Sequence, residues 1–165
     1  SGTPQQGVTV NWQTTDPNGG MSPGSNLTDV NGIATSSWTL SGAVGAQYAT
    51  ASVSGASGSP VTFTATGTAP VGAPRDTILV KNNLFVPAAD TVLVNTLVVW
   101  NWYNPSHQHN LIPVSPATAP YSPTVVNNPY SYSFYFTAAG TYKYYCSVHS
   151  PDGGVTGMVG KLVVQ

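Results

Sequence analysis

Apolar and polar residues alternate along much of this chain, and the clearest case is the segment YSYSFYF at residues 130–136. Alternation with a period of two predicts a strand with one buried face. Clusters of Gly, Asn, Asp and Pro separate similar runs elsewhere and are typical of turns. We therefore predict strands at residues 8–12, 34–40, 47–53, 61–66, 77–81, 92–94, 97–102, 109–114, 130–136, 141–146 and 158–164.

Two proline-rich stretches interrupt this pattern. Residues 67–76 carry small residues and two prolines without periodicity, which is typical of a linker. Residues 113–129 carry five prolines and predict a long loop. We expect an all-β protein of two β-sandwich domains, with the first domain at residues 1–68, the linker at 69–76 and the second domain at 77–165.

Charged residues are few, and this excludes several kinds of partner. The 165 residues include 4 Lys or Arg and 5 Asp or Glu, which gives a formal net charge of −1. Nucleic-acid binding and a polybasic membrane patch both need clustered Lys and Arg, so we expect neither. No run approaches the roughly 20 apolar residues of a membrane span. A surface of hydroxyls and amides suggests a location outside the cytoplasm.

The chemistry-bearing side chains are concentrated in the second domain. The chain has 1 Cys, so an intramolecular disulfide is excluded, and all 3 His lie between residues 107 and 149. Cys146 and His149 form a C-x-x-H motif, and Met158 follows after eight residues. A thiolate, two imidazoles and a weak axial thioether are the donors of a blue-copper centre. His107 stands two residues before His109, and it is the alternative upstream ligand.

Residues 76–165 resemble a cupredoxin of the plastocyanin type. The shared positions are Asn83, Phe85, Pro87, Val99, Trp100, Trp102, His109, Asn110, Phe136, Ala139, Gly140, Tyr142, Tyr144, Tyr145, Cys146, His149, Gly157, Met158 and Gly160. The resemblance implies a Greek-key sandwich that binds one copper ion per chain, cycling between Cu(I) and Cu(II).

The same resemblance implies a role for each site residue. His109, Cys146, His149 and Met158 would be the metal ligands, and Asn110 would tie the two ligand loops together. His149 and Tyr145 would be exits for electrons. The loop from His149 to Met158 is longer than in most plastocyanins, and a backbone carbonyl or water is the alternative axial ligand.

Residues 5–67 resemble a bacterial immunoglobulin-like repeat of the intimin and invasin type. The matching segments are residues 7–10, 28–34 and 59–65, of which the turn TDVNGIA is the most specific. In such a turn Asn-Gly takes positive φ and the Asp side chain binds the turn backbone. A complete repeat carries further strands upstream, so we expect a domain that is incomplete at its N-terminus, with an edge that can accept a foreign strand.

Three functions follow from these patterns. The first is a one-electron carrier and not an enzyme, because the numbers of His and Cys residues exclude multicopper and dinuclear copper centres. Its partners would be a redox donor and a redox acceptor. The Ig-like domain would be a spacer or docking module. The second is a cell-surface or filament subunit that assembles by strand addition. The third is copper carriage or storage. By resemblance we expect a bacterial or archaeal protein of the periplasm, the cell surface or the secreted fraction.

Overall fold

The structure is a computed structural model that describes residues 2–103, 107–115, 120–126 and 129–165. These residues form strands and turns without any helix, which confirms the all-β class. The strands are β1 (Thr9–Thr14), β2 (Gly20–Ser22), β3 (Ser25–Leu27), β4 (Ser37–Thr39), β5 (Ala43–Ser52), β6 (Val61–Gly67), β7 (Arg75–Lys81), β8 (Leu84–Val86), β9 (Ala89–Val92), β10 (Thr96–Trp102), β11 (His109–Ser115), β12 (Ser122–Val126), β13 (Tyr130–Phe136), β14 (Gly140–Tyr145) and β15 (Val159–Val164).

The chain divides into two compact units. The first unit comprises residues 1–41 and 46–66, and the second comprises residues 42–45 and 67–165. Residues 42–45 belong to the second unit because Ala43 and Val44 pair with Phe134 and Ser133 of β13. Among the described residues, no helix is long and apolar enough to cross a lipid bilayer.

Two sheets build the second unit. One has the order β13-β10-β7-β8, in which β10 and β7 run parallel and β10 pairs antiparallel with β13. The other has the order β12-β11-β14-β15-β9, and β9 joins β15 in parallel. Both sheets therefore combine antiparallel pairs with a parallel pair of strands that are not consecutive in the sequence.

Alternate residues of these strands form one hydrophobic core. On β10 the residues Val98, Trp100 and Trp102 are fully buried, which is the period-two pattern of a strand with one inward face. Tyr144 on β14 packs edge-on against Trp100, with ring centroids 5.5 Å apart. Aromatic rings in this arrangement contribute more than their buried area alone. This core holds the strand ends that carry the candidate metal ligands.

The first unit buries far less apolar surface. Its strands β3, β1, β5 and β6 form one sheet, and β2 pairs separately with β4. Among its described hydrophobic residues, Val10 and Ala49 alone are buried. An apolar pocket of about 380 Å³ opens between Trp12, Trp38 and Phe63. Small units have little stability to spare, so this unit is weakly held by its own contacts.

The turn at residues 28–34 has the chemistry that its sequence predicts. The Asp29 carboxylate accepts hydrogen bonds from the backbone N–H groups of Asn31 and Ile33, at 2.8 and 2.9 Å. These bonds, led by that from Ile33, hold the pKa of Asp29 below its usual range. Gly32 takes a φ of +73°, whereas Asn31 is not among the residues with positive φ. The prediction is confirmed for Asp29 and Gly32 and is wrong for Asn31.

Two sequence predictions fail in the second unit. The strand predicted at residues 92–94 is found as β9 (Ala89–Val92), which shares only Val92 with the prediction. The loop predicted at residues 113–129 contains β12, which pairs with β11. β12 is the edge strand of its sheet and has a neighbour on one side only. A proline such as Pro123 is tolerated in such a strand. Three short strands, β2, β3 and β8, also went unpredicted because three residues carry too little periodicity to recognise.

Candidate metal centre

Two of the candidate metal ligands lie at the same end of two neighbouring antiparallel strands. His109 is the first residue of β11, and Cys146 directly follows the last residue of β14. β11 and β14 are neighbours, with Ile112 opposite Tyr145, so the two ligands meet although 37 residues separate them. Trp102 helps to fix this start of β11 because its buried indole N–H donates to the carbonyl oxygen of His109 at 3.3 Å.

Three donor atoms converge in this place. The Sγ atom of Cys146 lies 3.8 Å from Nδ1 of His109 and 3.5 Å from Nδ1 of His149. All three donors lie within 4.8 Å of one another. Sulfur and nitrogen atoms that share one ion at about 2.0–2.3 Å are themselves separated by roughly 3.5–3.8 Å. The site is therefore shaped for a single metal ion.

Burial keeps the inner ligands ready for a metal. His109 and Cys146 are fully buried, while His149 is partly exposed. Burial lowers the pKa of His109 to about 4, with smaller contributions from the neighbouring imidazoles of His149 and His107. Burial also lowers the pKa of His149. Both imidazoles are thus neutral at pH 7, which is the form that binds metals.

Asn110 joins the two ligand segments, as the resemblance implied for it. Its Oδ1 accepts from the backbone N–H of Ser147 at 2.9 Å, and its Nδ2 donates to the Ser147 hydroxyl at 2.9 Å. Asn110 follows His109, and Ser147 follows Cys146. These bonds therefore fix the two ligands relative to each other, in the way that outer-shell partners orient metal ligands.

The loop from His149 to Met158 folds around two polar side chains. The buried Ser150 hydroxyl donates to the Thr156 carbonyl and accepts from the Gly154 N–H. The Asp152 carboxylate accepts from the N–H groups of Val155 and Thr156 and from the Thr156 hydroxyl. These bonds, led by the Thr156 hydroxyl, lower the pKa of Asp152 to about 2. We call Ser150, Asp152 and Thr156 the loop clasp.

After the loop clasp, backbone hydrogen bonds hold Met158 beside His149 and Cys146. The Met158 N–H donates to the carbonyl oxygen of His149, and the Met158 carbonyl accepts from the N–H of Cys146, both at 3.0 Å. Met158 is buried, with 1% of its surface exposed. Gly157 has a φ of +83°, and a Cβ there would collide with the His149 carbonyl oxygen. A glycine is therefore required next to Met158.

Of the other residues at the site, Tyr145 and His107 were singled out from the sequence and three more were missed. Tyr145 is partly buried beneath the loop, where its ring would contact a Cβ added at Gly154. His107 is exposed, and its ring lies 6.0 Å from that of His149. No sequence pattern indicated a metal-related role for Ser147, Ser150 or Asp152. A Ser-Pro-Asp-Gly turn directly after a ligand is the signal that could have indicated the clasp.

The donor set decides which metal fits. Two imidazoles and one thiolate with a buried thioether nearby suit copper, whereas structural zinc favours four Cys or His ligands. Among the described residues this is the one group of three or more possible ligands close enough to share an ion. The described part of the chain therefore has one site of this kind, which can hold one copper ion.

Known proteins resemble this chain over part of its length. No protein-family model and no curated protein matches the sequence. Among solved structures, a purple cupredoxin from Nitrosopumilus maritimus is 23% identical, covering 54% of this chain and 98% of that chain with a TM-score of 0.44. The oxidised form of plastocyanin from Dryopteris crassirhizoma is 22% identical, covering 55% and 100%, with a TM-score of 0.41. A reduced amicyanin mutant is 25% identical, covering 58% and 85%, with a TM-score of 0.46.

Proposed function

We propose that this protein is a mononuclear copper protein that carries single electrons and is not an enzyme. The observation that carries the proposal is the convergence of the Cys146 thiol and the Nδ1 atoms of His109 and His149 in a buried site. Met158 is the proposed axial ligand. Copper bound there supplies one-electron chemistry between Cu(II) and Cu(I).

The protein contributes rigidity and a dry environment. His109 and Cys146 stand at strand ends that the core fixes, and Asn110 bonds one ligand segment to the other. Ligands held in this way keep one geometry in both oxidation states, so little rearrangement accompanies the transfer of an electron. Burial of Cys146 keeps water away from the thiolate. Such a site favours transfer over catalysis on a bound substrate.

Electrons would leave through the exposed edge of the site. His149 is its most exposed ligand, Val148 beside it is 49% exposed, and Val155 on the same loop is 77% exposed. A redox donor and acceptor would dock on this apolar surface. Because the chain carries 9 charged residues, docking should depend little on salt. Tyr145, bonded directly to Cys146, is the second proposed route.

The location and the role of the first unit belong to the same proposal. A weakly charged surface and the resemblance to plastocyanin-type cupredoxins support a location outside the cytoplasm, in the periplasm, on the cell surface or in the secreted fraction of a bacterium or archaeon. The first unit would be an Ig-like spacer or docking module.

A visible spectrum of the purified protein with added Cu(II) tests the electron-carrier function. We expect an intense blue to purple band from the thiolate bond, which ascorbate bleaches and ferricyanide restores. Cys146→Ser should abolish the band because no thiolate remains. Met158→Leu should keep the band and change the reduction potential, since the axial ligand tunes it.

Met21→Leu is the matched control, because Met21 belongs to the first unit and should leave spectrum and potential unchanged. A colourless protein that binds no copper would contradict the proposal. A site that yields its copper readily to a chelator would instead favour copper carriage or storage.

The thin core of the first unit favours a second function, assembly by strand addition. Val61 and Phe63 on β6 are 53% and 45% exposed, and the apolar pocket lies beside Phe63. An incoming strand could cover these side chains while pairing with a sheet edge. The size of the protein in solution tests this function, because assembly would make that size increase with protein concentration.

A further inference from the structure

His107 is the one histidine outside the proposed ligand set. Its imidazole is exposed and makes no hydrogen bond within the described part of the chain. Its ring centroid lies 6.0 Å from that of His149, at an interplanar angle of 63°. His149 in turn lies 4.7 Å from His109. The three imidazoles thus form a series that runs from solvent into the buried site.

The orientation of His149 allows either of its two ring nitrogens to bind a metal ion. Its Nδ1 faces the Cys146 sulfur at 3.5 Å, so its Nε2, on the opposite side of the ring, faces away from that sulfur. A metal bound to one nitrogen of each of two imidazoles at about 2.1 Å keeps their ring centroids no more than roughly 6.4 Å apart. The observed 6.0 Å is within that limit. His107 and His149 can therefore share an ion outside the buried site.

We propose that His107 and His149 form an outer copper-binding station through which the ion enters and leaves the buried site. The proposal rests on the copper function above. A hydrated ion cannot reach Cys146 and His109 directly because both are fully buried. Stripping an ion of its water without replacement ligands is prohibitively costly. The station replaces water by imidazole nitrogen first.

The exchange then proceeds ligand by ligand. His107 and the outward Nε2 of His149 would hold Cu(II) in place of water. The bonds to these two nitrogens would then break as Nδ1 of His149, Nδ1 of His109 and the Cys146 sulfur bind the ion, and the thiol proton would leave to solvent. The oxidation state of copper does not change. His107 is released at the end, so it alters the rates of entry and exit and not the final site.

Stopped-flow mixing of the copper-free protein with a Cu(II) salt measures entry, as growth of the thiolate band. Transfer of copper from the loaded protein to EDTA measures exit. We expect His107→Ala to slow both rates by about tenfold, which corresponds to about 1.4 kcal/mol in the barrier. The final spectrum, reduction potential and copper affinity should stay as in the natural protein, because entry and exit slow by the same factor.

Gln108→Ala is the matched control, since Gln108 is an exposed neighbour. Entry and exit rates in His107→Ala within twofold of those in this control would overturn the proposal. A changed final spectrum or affinity would also overturn it, because His107 would then be a ligand of the buried site. Absence of the band in the natural protein would refute the copper function itself, whereas a normal band with unchanged rates refutes the outer station alone.

Discussion

At the scale of single residues, burial separates the three histidines. His109 is fully buried, His149 is partly exposed and His107 is exposed, although all three lie at one end of the second unit. The buried imidazole bears the largest cost of carrying a charge, and the pKa of His109 falls to about 4. Burial at the start of β11 therefore keeps His109 neutral and ready for a metal.

This pKa predicts how the stability of the copper-free protein depends on pH. The unfolded chain binds a proton at His109 with a pKa near 6.5, and the folded chain does so only near 4. Between these values the unfolded state holds more protons, so stability falls as the pH is lowered. We expect a loss of roughly 3 kcal/mol across this range, measured by urea unfolding at a series of pH values.

His109→Gln tests the source of that slope. The variant should lose most of the pH dependence between 6.5 and 4, and the remainder would come from His149, whose pKa is also lowered. An unchanged slope in His109→Gln would show that another group is responsible.

At the scale of elements, the loop from His149 to Met158 is held together by its own polar side chains. Its eight residues are folded by the clasp of Ser150, Asp152 and Thr156, and Gly157 lets the chain pass close to the His149 carbonyl. The loop ends on backbone bonds that join Met158 to both His149 and Cys146. The clasp therefore positions the proposed axial ligand although none of its members binds metal.

Asp152→Asn should loosen this loop. An amide oxygen accepts more weakly than a carboxylate from the N–H groups of Val155 and Thr156, and an amide nitrogen cannot accept from the Thr156 hydroxyl. We expect the variant to bind copper at least about tenfold more weakly, the lower range for outer-shell substitutions, with a shifted visible spectrum. Chelator competition and the absorption spectrum measure both effects.

Asp76→Asn is the control for the change of charge, since Asp76 accepts from the N–H of Thr77 at the start of β7, far along the chain from the ligands. Gly157→Ala disturbs the same loop by a steric route and should give the same spectral change. Asp152→Asn with an unaltered spectrum and affinity would refute the positioning role.

At the scale of the whole molecule, the two units differ in how much they bury. The hydrophobic core cluster consists entirely of second-unit residues, from Ala43 to Val164. In the first unit, Trp12, Trp38 and Phe63 line an open pocket, and the Trp38 indole nitrogen is buried without a hydrogen-bond partner among the described residues. Local stability follows such differences in buried contacts.

Hydrogen exchange should reveal this asymmetry. At low protein concentration we expect backbone amides of residues 9–41 and 46–66 to exchange rapidly and those of β10, β13, β14 and β15 to exchange slowly. If the first unit assembles by strand addition, its exchange will slow at high concentration and sedimentation will show larger species. A first unit as protected as the second at low concentration would contradict the expected asymmetry. A sedimentation coefficient independent of concentration would count against self-assembly.

Local chemistry made much of the fold predictable. Alternation identified β10, β13 and β14, and the Asp29 turn follows from the side chain's ability to bind nearby N–H groups. The strand β12 was not predicted because Pro123 and the prolines on either side of the strand argue for a loop. Its pairing with β11 is a contact that no local pattern encodes. The loop clasp was not predicted because, in the sequence, Asp152 looks like any other aspartate in a turn.

The sequence by itself determined which donor atoms the site has and that two of them, from Cys146 and His149, lie close together. Cys146 and His149 are three residues apart, so a single turn brings them together, and the absence of further Cys and His limits the chain to one such site. The tertiary structure decided the rest. Pairing of β11 with β14 brings His109 to within 3.8 Å of a sulfur 37 residues away, and burial there makes one histidine a neutral inner ligand and leaves His107 in solvent. Side-chain chemistry and short spacings are properties of neighbouring residues, whereas strand pairing and burial depend on segments that only the folded chain brings together.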